Sequence, residues 1–214
     1  MAVAFVYLGL HFLSEKKQIL FSGIVIASAF LFHTAILIFI VMLFFTSRKS
    51  LYWLIGFVAF AILIYPLELD VILLNIVENV MTYLGPDKTR FDKLHALLLQ
   101  PSSDVFLGMF RPIPLLVYFC AIVIYRYRDR FNSYETLCYN ALLFSIFCYI
   151  LLKDIPDLQV RFADMFGFSL VFLVPYVHRG MSEYIGSKYA YIILYSFFAV
   201  HLVKYTLYDK MLIL

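Results

Sequence analysis

Seven apolar runs, at about 2–13, 19–45, 51–67, 105–125, 136–152, 162–178 and 189–208, dominate this 214-residue chain and leave it few ways to fold. A hydrocarbon core about 30 Å thick is crossed by about 20 apolar residues in helical form. In that medium a backbone must satisfy its own hydrogen bonds, which for an open segment means a helix. Hydrophobic residues make up 64% of the chain and charged ones 14%, against about a quarter charged in a soluble domain. A water-soluble globule of this size has too little interior to hide such a fraction. The expected fold class is all-α: a polytopic transmembrane helical bundle with a helical outer-face loop, in a single integral membrane domain spanning 1–214. A soluble enzyme, a disordered chain and a nucleic-acid module are excluded. The net charge of +3, from 17 basic and 14 acidic residues, suits juxtamembrane loops.

The run 19–45 is long for one crossing, at about 40 Å. It reads either as one long helix or as two half-length helices turning near Phe32-His33-Thr34. Charge favours the hairpin. Lys16-Lys17 precede the run and Arg48-Lys49 follow it, and the positive-inside rule wants both ends cytoplasmic. Arg126, Arg128, Arg130, Arg179 and Lys188 then also fall inside. The loop 68–104, with six acids against Lys88, Arg90 and Lys93, falls outside, as does 153–161. Within the long loop Asn75, Glu78, Asn79 and Thr82 form one polar stripe, as on a helix lying in the interface. Gly85-Pro86 ends that helix, and a second is expected over about 88–99.

Ionisable side chains inside spans cost roughly 2.5–3.5 kcal/mol each on insertion scales, and so they mark function. Arg111 sits seven residues after Asp104, or about 10 Å into its helix. Pro112 and Pro114 follow it and free carbonyls in the turn above. Arg161 begins the span over 162–178, His201 and Lys204 stand one turn apart near the end of the last run, and His33 sits at the hairpin turn. All five map to the outer half of the bilayer, where Arg90 and Lys153 add further cations. Such a set suits a polyanion, above all a phosphate or pyrophosphate, for which Arg offers a bidentate fork. No metal is expected, because no His/Asp/Glu set has ligand spacing, and no cofactor is expected. His11, His95 and His178 read as structural. The cysteines Cys120, Cys138 and Cys148 read as small buried hydrophobes.

Three stretches resemble a known family. Ala29-Phe30-Leu31-Phe32-His33-Thr34-Ala35-Ile36, Phe110-Arg111-Pro112-Ile113-Pro114 and Gln159-Val160-Arg161-Phe162-Ala163-Asp164-Met165-Phe166 are similar to elements of the EpsG group of Wzy-type polysaccharide polymerases. The resemblance covers nearly all of this chain and about the later two-thirds of a typical member, so the chain is expected to be N-terminally short. It implies a multi-pass protein of the bacterial cytoplasmic (inner) membrane that makes O-antigen or exopolysaccharide. The implied reaction polymerises polyprenyl-pyrophosphate-linked oligosaccharide repeat units at the outer face of that membrane. The implied partners are the lipid-linked glycan and membrane lipid, with a flippase and a chain-length regulator, and no nucleic acid.

Cleaving the anomeric C–O bond develops charge on the pyrophosphate, which Arg111 and Arg161 would stabilise. His33 is the base expected to take the acceptor proton. His201, Lys204, Arg90 and Lys153 are the expected substrate-binding residues. The competing readings are a ligase or acyltransferase of surface glycans, a polysaccharide flippase or transporter, and an inactive fragment. A transporter of the inverted-repeat kind would show internal symmetry, which this sequence lacks.

Overall fold

The structure is a computed structural model and describes residues 2–31, 34–64, 112–152, 156–196 and 199. Among these the chain is helical, with no strand. Helix α1 spans Ala2–Ser14 and α2 Gln18–Leu31, followed by a 3-10 helix over Thr34–Phe44 and by α3, Arg48–Ile64. Then come α4, Pro112–Tyr125, a short 3-10 turn Arg128–Arg130, α5, Ser133–Leu151, α6, Pro156–Gly167, and α7, Leu170–Ile185. A helix over 187–196, α8, follows. The loop 68–104 and the two surface helices expected within it lie outside the described residues.

Local chemistry sets each reversal. At the end of α1, Lys17 N–H donates to Phe12 O and Lys16 N–H to Leu13 O, both at 2.9 Å. This is a Schellman motif with Lys16 in the left-handed region at φ 65°. Glycine usually takes that position, because a Cβ there costs about 1–2 kcal/mol. Before α5, Asn132 Oδ1 accepts from Glu135 N–H at 2.8 Å and Glu135 Oε2 accepts from Asn132 N–H at 2.9 Å. This reciprocal pair starts the helix.

The 19–45 run is divided between α2, described to Leu31, and the 3-10 helix, described from Thr34, and the two pack side by side. Fourteen residues of α2 rise about 21 Å, and eleven residues of 3-10 helix rise about 22 Å. The tighter winding thus lets the shorter arm match the longer one. Residues three apart stack in columns: Phe39 and Met42 are buried, Ile40 and Leu43 are half-buried. The chain then turns by 117° into α3.

Helix α5 is the axis of the bundle, buried over most of its length. Antiparallel α4 meets it where Tyr139 donates to Ala121 O at 2.9 Å. Antiparallel α6 meets it where Ser145 Oγ donates to Ala163 O at 2.6 Å and Gln159 Nε2 to Tyr149 O at 2.7 Å. Helix α3 runs alongside in the same direction, with Phe57 against Phe147. The three cysteines are free and buried.

The apolar run 162–178 is divided between two helices. Pro156 opens α6 well before Arg161, because its fixed φ and missing donor suit the first helical position. The helix stops at Gly167, and the chain re-enters helix at Leu170. Tyr7 donates to Phe166 O at 2.8 Å and to Met165 O at 3.1 Å, joining Ser169 N–H, which also donates to Phe166 O at 3.2 Å, in partnering the carbonyls at this helix end.

One described helix, Ser133–Leu151, is long and apolar enough to cross a membrane by itself. Leu37–Phe44 with Arg48–Ile64 makes a second if the bent pair counts as one span. Phe5–Ser14, Gln18–Phe30 and Pro114–Tyr125 are apolar but shorter. The bundle faces large apolar groups outward, with Ile19 and Phe30 at 88% and Leu63 at 77% exposure, while Asn140 is wholly buried.

Two backbone positions give stability changes of opposite sign. A Cβ at Gly180 would collide with Val123 Cγ1, so Gly180→Ala should destabilise by about 1–3 kcal/mol. Lys16→Gly relieves the left-handed strain and should stabilise by roughly 0.5–1 kcal/mol. Thermal melting of the detergent-solubilised chain checks both, and shifts of the same sign would contradict the packing and turn described above.

Candidate functional site

The reversals gather charge at one end of the bundle. The α1–α2 turn carries Lys16 and Lys17, and the turn into α3 carries Arg48 and Lys49. The α4–α5 connection carries Arg126, Arg128 and Arg130, and the second half of α7 brings Arg179, with Lys188 just beyond that helix. Direct contacts join these segments. Arg48 Nη2 donates to Phe131 O at 2.7 Å, and His11 lies edge-on to Tyr134 at 6.1 Å. Arg126 bonds the Tyr184 hydroxyl, and Tyr127 donates to Glu183 Oε1 at 2.7 Å. Arg179 stands 5.6 Å from the Tyr127 ring centroid, in reach of its negative face.

The electrostatics follow from these partners. Lys17 donates to Glu15 Oε2 at 2.7 Å, and this bond, with the attraction behind it, holds the Glu15 carboxyl below its ordinary range. Burial, then the bond to Glu183, pushes the Tyr127 phenol up, so it stays a neutral donor. The hydrogen bond from Arg126 to Tyr184 raises the Arg126 guanidinium further.

Within this end lies a small cleft of about 60 Å³ between α3, the α4–α5 connection and α5. Arg48, Arg128, Asp129, Thr136, Tyr139 and Asn140 line it. A wider recess of about 340 Å³ adjoins it past Arg48 and Phe131. Asn140 Nδ2 donates to Phe45 O at 2.8 Å and to Ser47 O at 3.3 Å, tying the turn into α3 to the axial helix. Arg128 lies over the Tyr125 ring at 4.3 Å and sits 4.0 Å from the Asp129 carboxylate. Among the described residues, no group of three or more His, Cys, Asp or Glu side chains is placed to hold a metal.

Of the site residues expected from sequence, the structure describes the Arg161 backbone alone. His33, Arg111, His201, Lys204, Arg90 and Lys153 lie outside the described residues. The backbone of Arg161 lies in the second turn of α6, and its side chain is outside what the structure describes. Several described helix ends share one end of the bundle. Leu31 and Thr34, Pro112, Leu152 and Pro156 all stand at the helix ends opposite the basic end, because their helices alternate in direction. Positions 33, 111 and 153 are next in sequence to Thr34, Pro112 and Leu152.

Arg48 and Arg128 were not expected from sequence to line a cleft, nor was Asn140. A lone Asn in an otherwise apolar run was the available signal, since a buried amide must find hydrogen-bond partners. His178, read as structural, packs on Tyr191 at 3.9 Å between centroids, with Ser182 Oγ and Ser187 Oγ each 3.3 Å from its Nε2.

Among curated proteins and among solved structures, no match to the chain is found. The family model that does match is that of the EpsG family, and it covers residues 1–213. Its span takes in the apolar runs, the basic turns and all three stretches around His33, Arg111 and Arg161. The chain belongs to the EpsG family, a membrane-associated family of Wzy-like polymerases.

Proposed function

We propose that this chain is a multi-pass protein of the bacterial inner membrane that polymerises polyprenyl-pyrophosphate-linked oligosaccharide repeat units at the outer face. The observation that carries the reading is the segregation of charge along the bundle. Cationic turns collect at one end, as the positive-inside rule asks of a cytoplasmic face. The helix ends next to positions 33, 111 and 153 stand at the other. Exposed Tyr52, Trp53, Tyr184 and Tyr189 ring the basic end, as interfacial aromatics do at headgroup depth. The outward apolar surface then faces lipid, where single bundles in water would aggregate.

On this reading the donor is a glycan on polyprenyl pyrophosphate and the acceptor is a sugar hydroxyl of a second lipid-linked unit. The anomeric C–O bond of the donor breaks, its electron pair leaves on the pyrophosphate, and a new C–O bond forms to the acceptor oxygen. Arg111 and Arg161 hold the departing charge in a site of low dielectric. His33 takes the acceptor proton, and attack opposite the leaving group inverts the anomeric centre. His201, Lys204, Arg90 and Lys153 bind the anionic and polar parts of the substrates. A flippase that delivers the donor and a chain-length regulator are the partners this chemistry calls for.

Orientation is tested by impermeant thiol labelling of intact cells. The native cysteines are buried, so exposed positions report alone. Lys49→Cys and Lys188→Cys should stay unlabelled until the membrane is opened, while Pro86→Cys in the outer loop should label at once. Labelling of Lys49→Cys from outside would sink the orientation.

Activity is tested by deleting the gene and restoring it with variants, reading surface glycan on a gel. Deletion should leave single repeat units without a ladder. Arg111→Ala at normal expression should remain without one, and Arg111→Lys should do little better, since a point charge does not reproduce the fork. A full ladder from Arg111→Ala would remove that residue from the chemistry.

His33→Gln keeps hydrogen-bonding capacity and cannot take the proton. With a synthetic polyprenyl-pyrophosphate donor it should bind normally and turn over at least about 100-fold more slowly. Wild-type turnover should fall in acid as the imidazole protonates, whereas Arg161→Ala should weaken donor binding as well. Normal turnover in His33→Gln would leave His33 a packing residue.

A further inference from the structure

The cleft at the basic end holds a buried acceptor to which no described residue donates. Asn140 is fully buried, and its Nδ2 faces two backbone carbonyls, Phe45 O and Ser47 O. Carbonyls only accept, so the amide cannot be turned round, and its oxygen must point away from them. Among the described residues that oxygen, Oδ1, has no hydrogen-bond partner. Buried polar atoms are almost always partnered, and Asn140 lines the cleft. The group that belongs beside it is a donor, a hydroxyl or an ammonium.

The rest of the lining fixes the charge of that group's owner. Arg48 and Arg128 flank the cleft with Asp129, two positive charges and one negative, a net of +1. Each guanidinium carries five donors. Among the described residues, Arg48 directs one to Phe131 O, and Arg128 directs one to Tyr125 O while facing Asp129. A singly charged phosphodiester matches this balance, whereas a polyphosphate would meet the Asp129 carboxylate. The adjoining recess past Arg48 gives such a group a way out of the cleft. Exposed Tyr52 and Trp53 lie on the first turns of α3 beside it, the level at which headgroups lie if this end faces the inner leaflet.

We propose that this cleft binds an anionic phosphodiester bearing a hydroxyl, with the phosphate on Arg48 and Arg128 and the hydroxyl donating to Asn140 Oδ1. The source is a membrane lipid headgroup or a soluble glycerophosphodiester, which share this chemistry. The proposal takes the basic end as membrane-facing from the reading above. It is separate from glycan polymerisation, because it concerns the opposite end of the bundle and its readout is binding rather than a glycan ladder.

The test uses the purified full chain in a neutral detergent, with native mass spectrometry to count retained lipid and thermal melting to read stabilisation. Phosphatidylglycerol should be retained at least tenfold more than phosphatidylcholine. It should also be retained severalfold more than phosphatidylmethanol, which has equal charge and no hydroxyl. Arg128→Gln should lose phosphatidylglycerol tenfold or more, and Lys188→Gln, the same charge change outside the cleft, should keep it. Arg48→Gln should lose it too, but this variant also drops the 2.7 Å bond to Phe131 O that joins two segments, whereas Arg128 gives up a local 3.3 Å bond to Tyr125 O, so Arg128→Gln is the deciding variant. Glycerophosphoglycerol, a soluble phosphodiester of the same charge, raising the melting temperature as much as phosphatidylglycerol at equal concentration supports the same site with a soluble source. Equal retention of phosphatidylglycerol and phosphatidylcholine, unchanged retention in Arg128→Gln, or equal loss in Lys188→Gln overturns the proposal. Equal retention of phosphatidylmethanol overturns the part given to Asn140.

Discussion

An apolar bundle has to find partners for the carbonyls that its helix ends and breaks set free, and this molecule does so with side chains reaching between helices. Tyr7 serves Met165 and Phe166, Asn140 serves Phe45 and Ser47, and Arg48 serves Phe131. Tyr139, Ser145 and Gln159 also donate to backbone carbonyls along the axial helix, which satisfies their own donors. Each such bond satisfies a group that would cost about 1–3 kcal/mol if left bare inside. Each also joins elements distant in sequence, so hydrogen bonding and tertiary order are one property here. Aromatic packing closes round the same points: Tyr7 touches Phe39, Phe168 and Phe172.

The bundle's two ends have different chemistry because its reversals alternate. Short basic turns at one end are held rigidly by a Schellman turn, a capping box and cation–π contacts. The other end is where the chain leaves α3 and re-enters α4, between residues 64 and 112. For a family of membrane polymerases, this division separates an anchored face from the face on which long lipid-linked substrates are proposed to meet.

What could be read from the sequence follows from range. Helical class rests on composition and on runs of apolar residues, both local, and the family on three stretches of five to eight residues. The buried state of Cys120, Cys138 and Cys148 was likewise legible from apolar neighbours. The break after Gly167 was not, because the run 162–178 is apolar throughout and the group that compensates the break, Tyr7, lies 159 residues away from its acceptor. Asn140 was visible as an oddity, but its acceptors stand 93 and 95 residues distant. Of the expected polymerase site, sequence supplied residue types and depth, and topology supplied the helix ends that adjoin three of its positions. The cleft with Arg48 and Arg128 needed three elements brought together, which no spacing encodes.

The 3-10 winding of Thr34–Phe44 makes that segment tolerant of one kind of change and intolerant of another. With three residues per turn, side chains stand in straight files, and the file through Phe39 and Met42 is the one that enters the core. Swapping Met42 for another flexible apolar residue keeps the files in place. Adding or removing one residue turns everything beyond it by about 120°, which would carry Met42 out of the interior and bring a neighbouring file in. Evolution along this arm should therefore run through exchanges of side chain at fixed length, with insertions and deletions pushed out of it.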